Sequence, residues 1–287
     1  DWSVTGVQTC ALPISIGVFD SGAGGLTVLK ELERQLPNEP LLYLGDTARV
    51  PYGTRSPEEI VEFARQIIRW MVGRNVKMVV MACNTSSALA LDTMRQEFDL
   101  PILGLIQPAA ALASSRGQRI GVIATPTTAK SHAYRDAIRE QSPHTAVWEV
   151  GCPEFVPIVE EGRIHHPETL GTVRTYIQPL LDQGIDSLVY GCTHYPHLAP
   201  VLDQVLPRAI VRIDPAVSIV RDAKMVLDNL ELHHTGPLQS HRFCVTGDKA
   251  QFSLLANQWL NEPPAVEQVS LSATSPDRKS TRLNSSH

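Results

Sequence analysis

Short apolar runs rich in β-branched residues alternate with longer amphipathic stretches from about residue 15 to residue 260. A strand buried on both faces reads as a continuous apolar run, whereas an amphipathic helix repeats its apolar positions with a period of 3.6. The alternation therefore predicts βαβ units and parallel sheets. The predicted strands are Ser15–Phe19, Leu41–Leu44, Met78–Met81, Ile102–Leu105, Arg119–Ile123, Ala146–Glu149, Ser187–Tyr190, Ile210–Ile213 and His241–Val245.

The amphipathic stretches between these runs predict helices. Several of them begin just after Ser, Thr, Asp or Pro, which are residues that favour the start of a helix. The predicted helices are Gly25–Gln35, Pro57–Gly73, Ser86–Phe98, Pro108–Ser115, Thr128–Gln141, Phe155–Glu161, Glu168–Gln183, His197–Leu206, Ala216–Asn229 and Lys249–Leu260.

The two halves of this pattern resemble one another. Residues 16–21, IGVFDS, recur as IGVIAT at residues 120–125, an offset of 104, and residues 75–85, NVKMVVMACNT, recur as GIDSLVYGCTH at residues 184–194, an offset of 109. Any two α/β halves share apolar runs, but two ordered matches at nearly equal offsets indicate duplication. We predict an α/β fold of two pseudo-symmetric domains, each with a mostly parallel sheet flanked by helices, and an active site between them.

Composition narrows the class of protein. The chain has 287 residues, of which 43% are hydrophobic and 19% charged, so it can bury a core and a pocket. A net charge of −5 gives no broad basic face and argues against a nucleic-acid partner. Five scattered cysteines favour a reducing cytoplasm over a secreted disulfide framework. Since no signal peptide and no apolar run of about eighteen residues are present, we expect a soluble cytoplasmic protein.

Cys83 and Cys192 occupy matching positions of the repeat, where an apolar strand run ends and a helix-starting sequence begins. Ligands bind at that end of the strands in open α/β sheets, and a helix N-terminus lowers the pKa of a thiol and attracts carboxylates. Racemisation at an α-carbon needs a base on one face and an acid on the other, which two thiols can supply. The alternative is a small buried hydrophobe, the interpretation we keep for Cys152 and Cys244.

Two further features carry candidate chemistry. The glycine-rich turn of residues 20–25 lacks the third glycine of a dinucleotide loop, because Thr27 stands there. We interpret it as a substrate site in which backbone N–H groups approach a carboxylate and Asp20 binds an ammonium group or tunes a thiol. His194 follows Cys192 by two residues and is predicted to tune its surroundings, the alternative being an ordinary buried histidine. His165–His166 and His233–His234 have no companions at metal spacing, so no metal site is predicted.

Four motifs together resemble those of the glutamate racemase family: IGVFDSGAGG at residues 16–25, GDTARVPYG at 45–53, ACNTSSA at 82–88 and GCTHYP at 191–196. The match runs from about Ser15 to Leu260. The resemblance implies a cofactor-independent enzyme that interconverts L- and D-glutamate and supplies D-glutamate for bacterial peptidoglycan. It also implies a homodimer.

The resemblance extends to individual residues. It implies that Cys83 is the base for the D isomer and Cys192 the base for the L isomer. Glu160 falls where a family carboxylate assists near the second cysteine, with Glu161 beside it. Ala124 stands where the family often has glycine. The positions that the family uses to contact substrate are Asp20, Ser21, Tyr52, Gly53, Asn84, Thr85, Thr125, Thr128, Thr193 and His194.

The family's chain returns to its first domain near the C-terminus. The resemblance therefore implies a discontinuous first domain, residues 14–109 plus 214–271, and a second domain of residues 110–213. Residues 1–13 and 272–287 carry neither helical nor strand periodicity, and we interpret them as disordered, non-native tails.

Other functions stay open at this point. An aspartate or hydantoin racemase would keep both cysteines and differ in the pocket beyond the α-carbon. A single-cysteine nucleophilic enzyme would need one thiol and a Cys–His pair, and a small-acid binding protein would need neither thiol. A pyridoxal enzyme would need a lysine in the site. The lysines considered lie outside the cysteine motifs and the glycine-rich turn: Lys30, Lys77, Lys130, Lys224 and Lys249.

Overall fold

The structure is a computed structural model that describes residues 14–260 and 264–271. The two predicted tails and Cys10 lie outside the described residues. Along the described chain the strands are β1 (Ser15–Asp20), β2 (Leu41–Gly45), β3 (Val76–Met81), β4 (Ile102–Gly104), β5 (Arg119–Ala124), β6 (Ala146–Gly151), β7 (Ser187–Gly191), β8 (Val211–Ile213), β9 (Arg242–Val245) and β10 (Val266–Gln268).

Helices connect these strands, and two short 3₁₀ helices cover Tyr52–Thr54 and Tyr195–Leu198. The α-helices are α1 (Leu26–Gln35), α2 (Pro57–Val72), α3 (Asn84–Leu89), α4 (Leu91–Glu97), α5 (Ile106–Arg116), α6 (Pro126–Ser131), α7 (Ala133–Gln141), α8 (Phe155–Glu160), α9 (Pro167–Asp182), α10 (Ala199–Val205), α11 (Pro215–Asn229) and α12 (Lys249–Trp259).

The strands form two parallel sheets with the same internal order. The larger sheet is ordered β10-β9-β2-β1-β3-β4 and the smaller β6-β5-β7-β8, so the order β2-β1-β3-β4 of the first half recurs in the second. The predicted fold class, α/β with two parallel sheets flanked by helices, is confirmed. The domain boundaries stay a prediction, and α5 runs without a break across the one placed between residues 109 and 110.

Burial explains why the central strands read as unbroken apolar runs. Every residue of β3 (VKMVVM) and β7 (SLVYG) is buried, as expected for strands covered on both faces. The edge strand β8 exposes Val211 and Arg212 and buries only Ile213. One cluster of buried side chains includes Val18 of β1 and Leu188 of β7, so the two sheets share a continuous core.

The structure departs from the sequence-based prediction at three places. The predicted helix Ser86–Phe98 is two helices that meet at Ala90, and the predicted helix Thr128–Gln141 is two helices that meet at His132. His132 has a φ of 57°, which an uninterrupted helix cannot accommodate. Strand β10 was not predicted, because three residues are too short a segment to show a periodic pattern.

A buried ion pair fixes the amino end of β3, the end opposite the carboxyl ends of the strands. Lys77 Nζ pairs with the carboxylate of Glu39, and the two side chains are 2% and 3% exposed. Lys77 also donates to the carbonyl of Leu232 at 2.7 Å, and Glu39 accepts the backbone N–H of His234 at 3.0 Å. These contacts hold the segment after α11 against the larger sheet.

Replacing Glu39 by glutamine should lower the free energy of unfolding by about 3 kcal/mol, because the buried ammonium of Lys77 loses its counter-charge. Urea denaturation followed by circular dichroism measures the change. The control is Glu168→Gln, since the Glu168 side chain is 83% exposed and its loss should change stability by less than about 0.5 kcal/mol. Equal effects of the two variants would contradict the role given to the buried pair.

Candidate active site

The strand order creates a binding crevice in each half of the molecule. In the larger sheet β1 lies between β2 and β3, and in the smaller β5 lies between β6 and β7, so the connections leave each central strand in opposite directions. Ligands bind at such switch points, beyond the carboxyl ends of the strands. Asp20 ends β1, Cys83 follows β3, Thr125 follows β5 and Cys192 follows β7. All four line one cavity.

This cavity has a volume of about 180 Å³, roughly six times the ~30 Å³ that a water molecule occupies in the liquid. It is therefore sized for a small metabolite rather than for a large cofactor. No lysine or arginine of the described residues lines it. The lining residues are Asp20, Ser21, Val50, Pro51, Tyr52, Gly53, Thr54, Cys83, Asn84, Thr85, Thr125, Pro126, Cys152, Pro153, Val156, Pro157, Cys192, Thr193 and His194.

The predicted site residues separate into two groups. Those that line the cavity are Cys83, Cys192, Asp20, Ser21, Tyr52, Gly53, Asn84, Thr85, Thr125, Thr193 and His194. Glu160 and Thr128 stand one contact further back: Glu160 reaches the cavity through His194, and Thr128 through Thr85 and Thr125. The structure brings these side chains together, and their chemical roles stay predictions.

Cys83 sits in a strongly desolvated place. Its side chain is buried, and burial together with the negative charge of Asp20 raises the pKa of the thiol to about 12, which Ser86 offsets only in part. The first turn of α3 does lower this pKa, through the backbone N–H and the hydroxyl of Ser86, but desolvation is the larger effect and the net shift is upward. In these surroundings Cys83 is therefore a neutral thiol.

Asp20 is a fully buried carboxyl group with one free oxygen. Its Oδ2 accepts the backbone N–H of Gly22 at 3.2 Å and that of Gly25 at 2.9 Å, whereas Oδ1 has no hydrogen-bond partner among the described residues. Burial raises the pKa of Asp20, while the charge of His194 and the backbone N–H groups lower it by less. The glycine-rich turn thus holds the carboxyl group and leaves one oxygen beside the cavity.

His194 connects Cys192 to Glu160. Its Nδ1 lies 3.7 Å from the sulfur of Cys192, and its Nε2 lies 2.6 Å from Oε1 of Glu160. Burial acts to lower the pKa of His194, but the hydrogen bonds to Cys192 and Glu160 prevail and raise it well above its usual value. The raised pKa favours the protonated ring, in which Nδ1 would present an N–H to the sulfur.

Three threonine hydroxyls join the two halves at the cavity wall. Thr85 lies 3.1 Å from Thr125 and 3.0 Å from Thr128, and Thr125 lies 2.9 Å from Thr128, all measured between Oγ1 atoms. Each hydroxyl can donate one hydrogen bond and accept two. Each proton turned toward a ligand breaks one hydrogen bond of the triangle, but Thr128 can still donate to Thr85 or Thr125 when those two donate outward.

Asn84 offers a donor with a fixed direction. The hydroxyl of Tyr134, on α7, donates to Asn84 Oδ1 at 2.5 Å. The Nδ2 group of Asn84 is buried without a hydrogen-bond partner among the described residues, and Asn84 lines the cavity. An unpaired buried amide costs free energy, so this group suits an acceptor on a bound ligand.

Close approach of the two halves depends on glycine at two positions. A Cβ at Gly24 would lie 2.6 Å from Cε1 of His194 and 2.7 Å from Oγ1 of Thr193. A Cβ at Gly53 would lie 2.6 Å from Cβ of Thr125. Carbon atoms in van der Waals contact are about 3.5–4.0 Å apart, so only glycine allows these contacts.

Sequence reasoning missed part of the site. Cys152 is buried as predicted, but it also lines the cavity, next to the apolar side chains of Val156 and Pro157. Behind His194, the ring of His197 stacks on that of Trp259 with centroids 3.9 Å apart. Cys152 lies outside both matched segments of the repeat, and Trp259 is brought in by the distant helix α12, so neither gave a local signal.

Residues 14–260 and 264–271 contain neither a metal-binding cluster nor a membrane-spanning helix. None of their His, Cys, Asp and Glu side chains form a group of three placed to hold a metal ion. None of the helices there has the length and apolar character needed to span a bilayer.

Two parallel sheets with the same internal strand order each place a thiol in one shared cavity. This arrangement defines the class of α/β enzymes whose site lies between two halves. The chain belongs to the Asp/Glu/Hydantoin racemase family, whose model matches residues 16–223.

Individual proteins resemble the chain over most of its length. A glutamate racemase of Synechocystis sp. is 56% identical over 256 residues, which are 89% of this chain and 92% of that protein. A glutamate racemase isoform from Bacillus anthracis superposes with a TM-score of 0.86 at 34% identity, covering 90% of this chain and 97% of that one. The glutamate racemase of Francisella tularensis, solved in complex with D-glutamate, gives a TM-score of 0.85 at 34% identity, with 90% and 98% covered.

The variant Gly24→Ala should lower the free energy of unfolding by about 1–3 kcal/mol, because the added methyl group displaces His194 and Thr193. The matched control is Gly171→Ala in α9, where a Cβ would meet no atom within 4 Å. That control should raise stability by about 0.5–1 kcal/mol through helix propensity. Chemical denaturation checks both signs, and a neutral Gly24→Ala would refute the close packing.

Proposed function

We propose that this protein interconverts L- and D-glutamate without a cofactor, by passing protons between the substrate and two thiols. The observation that carries the proposal is that Cys83, from the larger sheet, and Cys192, from the smaller, line one cavity. Thiols on opposing walls can act on the two faces of one α-carbon. Removal of a proton from one face and delivery to the other inverts the carbon.

The choice of glutamate rests on two supports. Relatives that are 56% identical, and structural neighbours with TM-scores of 0.86 and 0.85, are named glutamate racemases. The cavity also offers polar groups that match an amino acid. The free Oδ1 of Asp20 can accept from the ammonium group, and the free Nδ2 of Asn84 can donate to a carboxylate. The hydroxyls of Thr85 and Thr125 can donate to the other carboxylate.

The reaction needs one thiolate and one thiol at any moment. For D-glutamate, Cys83 takes the α-proton and the neutral thiol of Cys192 gives its proton to the opposite face. For L-glutamate the two cysteines exchange roles, so each turnover leaves the enzyme ready for the reverse direction. The groups around each thiol then have to favour its anion at the right step.

Substrate binding itself can activate Cys83. The thiol is neutral in the empty cavity because burial and Asp20 disfavour its anion. A bound ammonium group would neutralise Asp20 and add a positive charge near the sulfur, and both changes favour the thiolate. The thiol proton would pass to solvent as the substrate enters, so the base is formed only when a substrate with the correct charge is present.

His194 and Glu160 serve the second thiol. The imidazolium N–H faces the sulfur of Cys192 and stabilises negative charge there, and Glu160 keeps the ring protonated. We assign this supporting role to Glu160 rather than to its neighbour, since Glu161 is 58% exposed at its side chain and bonds to Arg163 instead.

The wider setting is part of the same proposal. A glutamate racemase would supply D-glutamate for peptidoglycan in the cytoplasm. We further propose the homodimer and the two-domain division, residues 14–109 plus 214–271 and residues 110–213, that the family resemblance implies.

Circular dichroism of purified protein with L-glutamate, without added pyridoxal phosphate, tests the proposal. The wild type should bring the signal to zero, and Cys83→Ala and Cys192→Ala should each slow racemisation at least about 10³-fold, because an essential acid or base is lost. The matched control is Cys244→Ala, since Cys244 is buried in β9 and does not line the cavity. It should racemise like the wild type.

The same assay separates the competing functions. Faster racemisation of aspartate or a hydantoin than of glutamate would move the substrate assignment to another branch of the family. Loss of activity in only one of the two cysteine variants, or net hydrolysis of an acyl substrate in D₂O without exchange of the α-proton, would refute the two-thiol mechanism. An inert wild type that still binds glutamate would refute catalysis.

Glu160→Gln should lower the pH above which activity is lost. The pKa of His194 is raised, so its positive charge is present at low pH and is lost as the pH rises through that pKa. Removing the Glu160 carboxylate lowers the pKa, so the alkaline limb of kcat/KM should move down by about one pH unit or more. Glu161→Gln is the control, and an unshifted limb in Glu160→Gln would contradict the assignment.

A further inference from the structure

Asp46 is a buried carboxylate that no step of the proposed reaction uses. It follows β2 directly and is 0% exposed. Its Oδ2 accepts the hydroxyl proton of Tyr52 and pairs with Nε of Arg49 at 2.6 Å, and its Oδ1 accepts the hydroxyl of Thr246 at 2.7 Å. Asp46 does not line the cavity itself. Three side chains from separate positions therefore converge on one group outside the reaction site.

The loop that Asp46 holds forms one wall of the cavity. Residues 50–54 all line it, and Tyr52 is 2% exposed. The loop also touches the other half of the molecule, because Thr127 Oγ1 donates to the carbonyl of Gly53 at 2.7 Å. The position of Tyr52 thus sets both the width of the cavity and the contact between the halves.

The segment that follows β9 also holds this loop in place. Thr246 follows β9, and its hydroxyl accepts the backbone N–H of Ala48 at 3.0 Å while it donates to Asp46. The backbone N–H of Gly247 donates to Thr47 Oγ1 at 2.9 Å. Thr47 and Ala48, at the start of the loop, are therefore both hydrogen-bonded to the residues that follow β9.

We propose that Asp46 is a positioning residue for the racemisation, acting through the Tyr52 hydroxyl to fix residues 47–54 as a cavity wall. This inference rests on the proposed function. A carboxylate is required because both of its oxygens accept hydrogen bonds, whereas an amide would turn an N–H₂ group toward Thr246 alone or toward both Tyr52 and Arg49. The Tyr52 hydroxyl or the Thr246 hydroxyl would then be buried without an acceptor.

The test is a double-mutant cycle on the KM for D-glutamate. Asp46→Asn should raise KM about 10- to 100-fold and change kcat less than about 3-fold, because the wall that binds substrate shifts while the thiols stay in place. Tyr52→Phe removes the hydroxyl through which Asp46 acts. In that background, Asp46→Asn should raise KM by less than about 3-fold. Fully multiplicative effects on KM would overturn the proposal.

A second measurement tests the proposal without an activity assay. Hydrogen exchange of the backbone amides of residues 47–54 should become at least about 10-fold faster in Asp46→Asn. The control is Glu39→Gln, which also removes a buried carboxylate paired with a cation but lies at the opposite end of the sheet. It should leave exchange in the loop and KM unchanged. If the wild type does not racemise glutamate, the proposed function fails, and unchanged exchange in Asp46→Asn would still overturn the positioning role.

Discussion

The site depends on two sheets approaching each other so closely that their strand ends close one cavity. At two points of contact no side chain fits: Gly24 against His194, and Gly53 against Thr125. Hydrogen bonds across the same contact, such as Tyr134 to Asn84, fix the side chains that face inward. The thiol after β3 and the thiol after β7 reach a common space only because this contact is made. Packing between the halves is therefore a condition for the chemistry.

The close packing of the two halves also desolvates the ionisable groups at the cavity and shifts their pKa values. Desolvation raises the pKa of Cys83 to about 12 and raises that of Asp20, so the empty cavity holds its acidic groups in their neutral forms more readily than water does. His194, whose pKa is raised, is the imidazole ring at the wall and is paired with Glu160. Because no lysine or arginine of the described residues lines the cavity, a bound ammonium group would be a large change in local charge. Under the proposed function, this change of charge would favour an amino acid over a neutral or purely anionic ligand.

The sequence alone predicted the fold well where the signal was local. Apolar runs such as Met78–Met81 gave the central strands to within two residues, and the repeat placed Cys83 and Cys192 at equivalent strand ends. What it could not predict depends on contacts between distant segments. Cys152 enters the cavity because β6 neighbours β5, and Asp46 meets Thr246 because β9 pairs with β2. The raised pKa of Cys83 is likewise a consequence of burial, which a sequence motif does not report.

Differences between the two repeated segments explain why the two thiols are not chemically equivalent. At the offset of 104 residues Asp20 corresponds to Ala124, and at the offset of 109 residues His194 corresponds to Thr85. Each half thus retains one ionisable group at a different position of the repeat, an acid near the first thiol and a base near the second. A substrate with one ammonium and two carboxylate groups is itself asymmetric about its α-carbon. A strictly symmetric pair of walls would bind its two orientations equally, so the loss of symmetry in the charged residues is what can hold the carbon in one orientation while the proton changes sides.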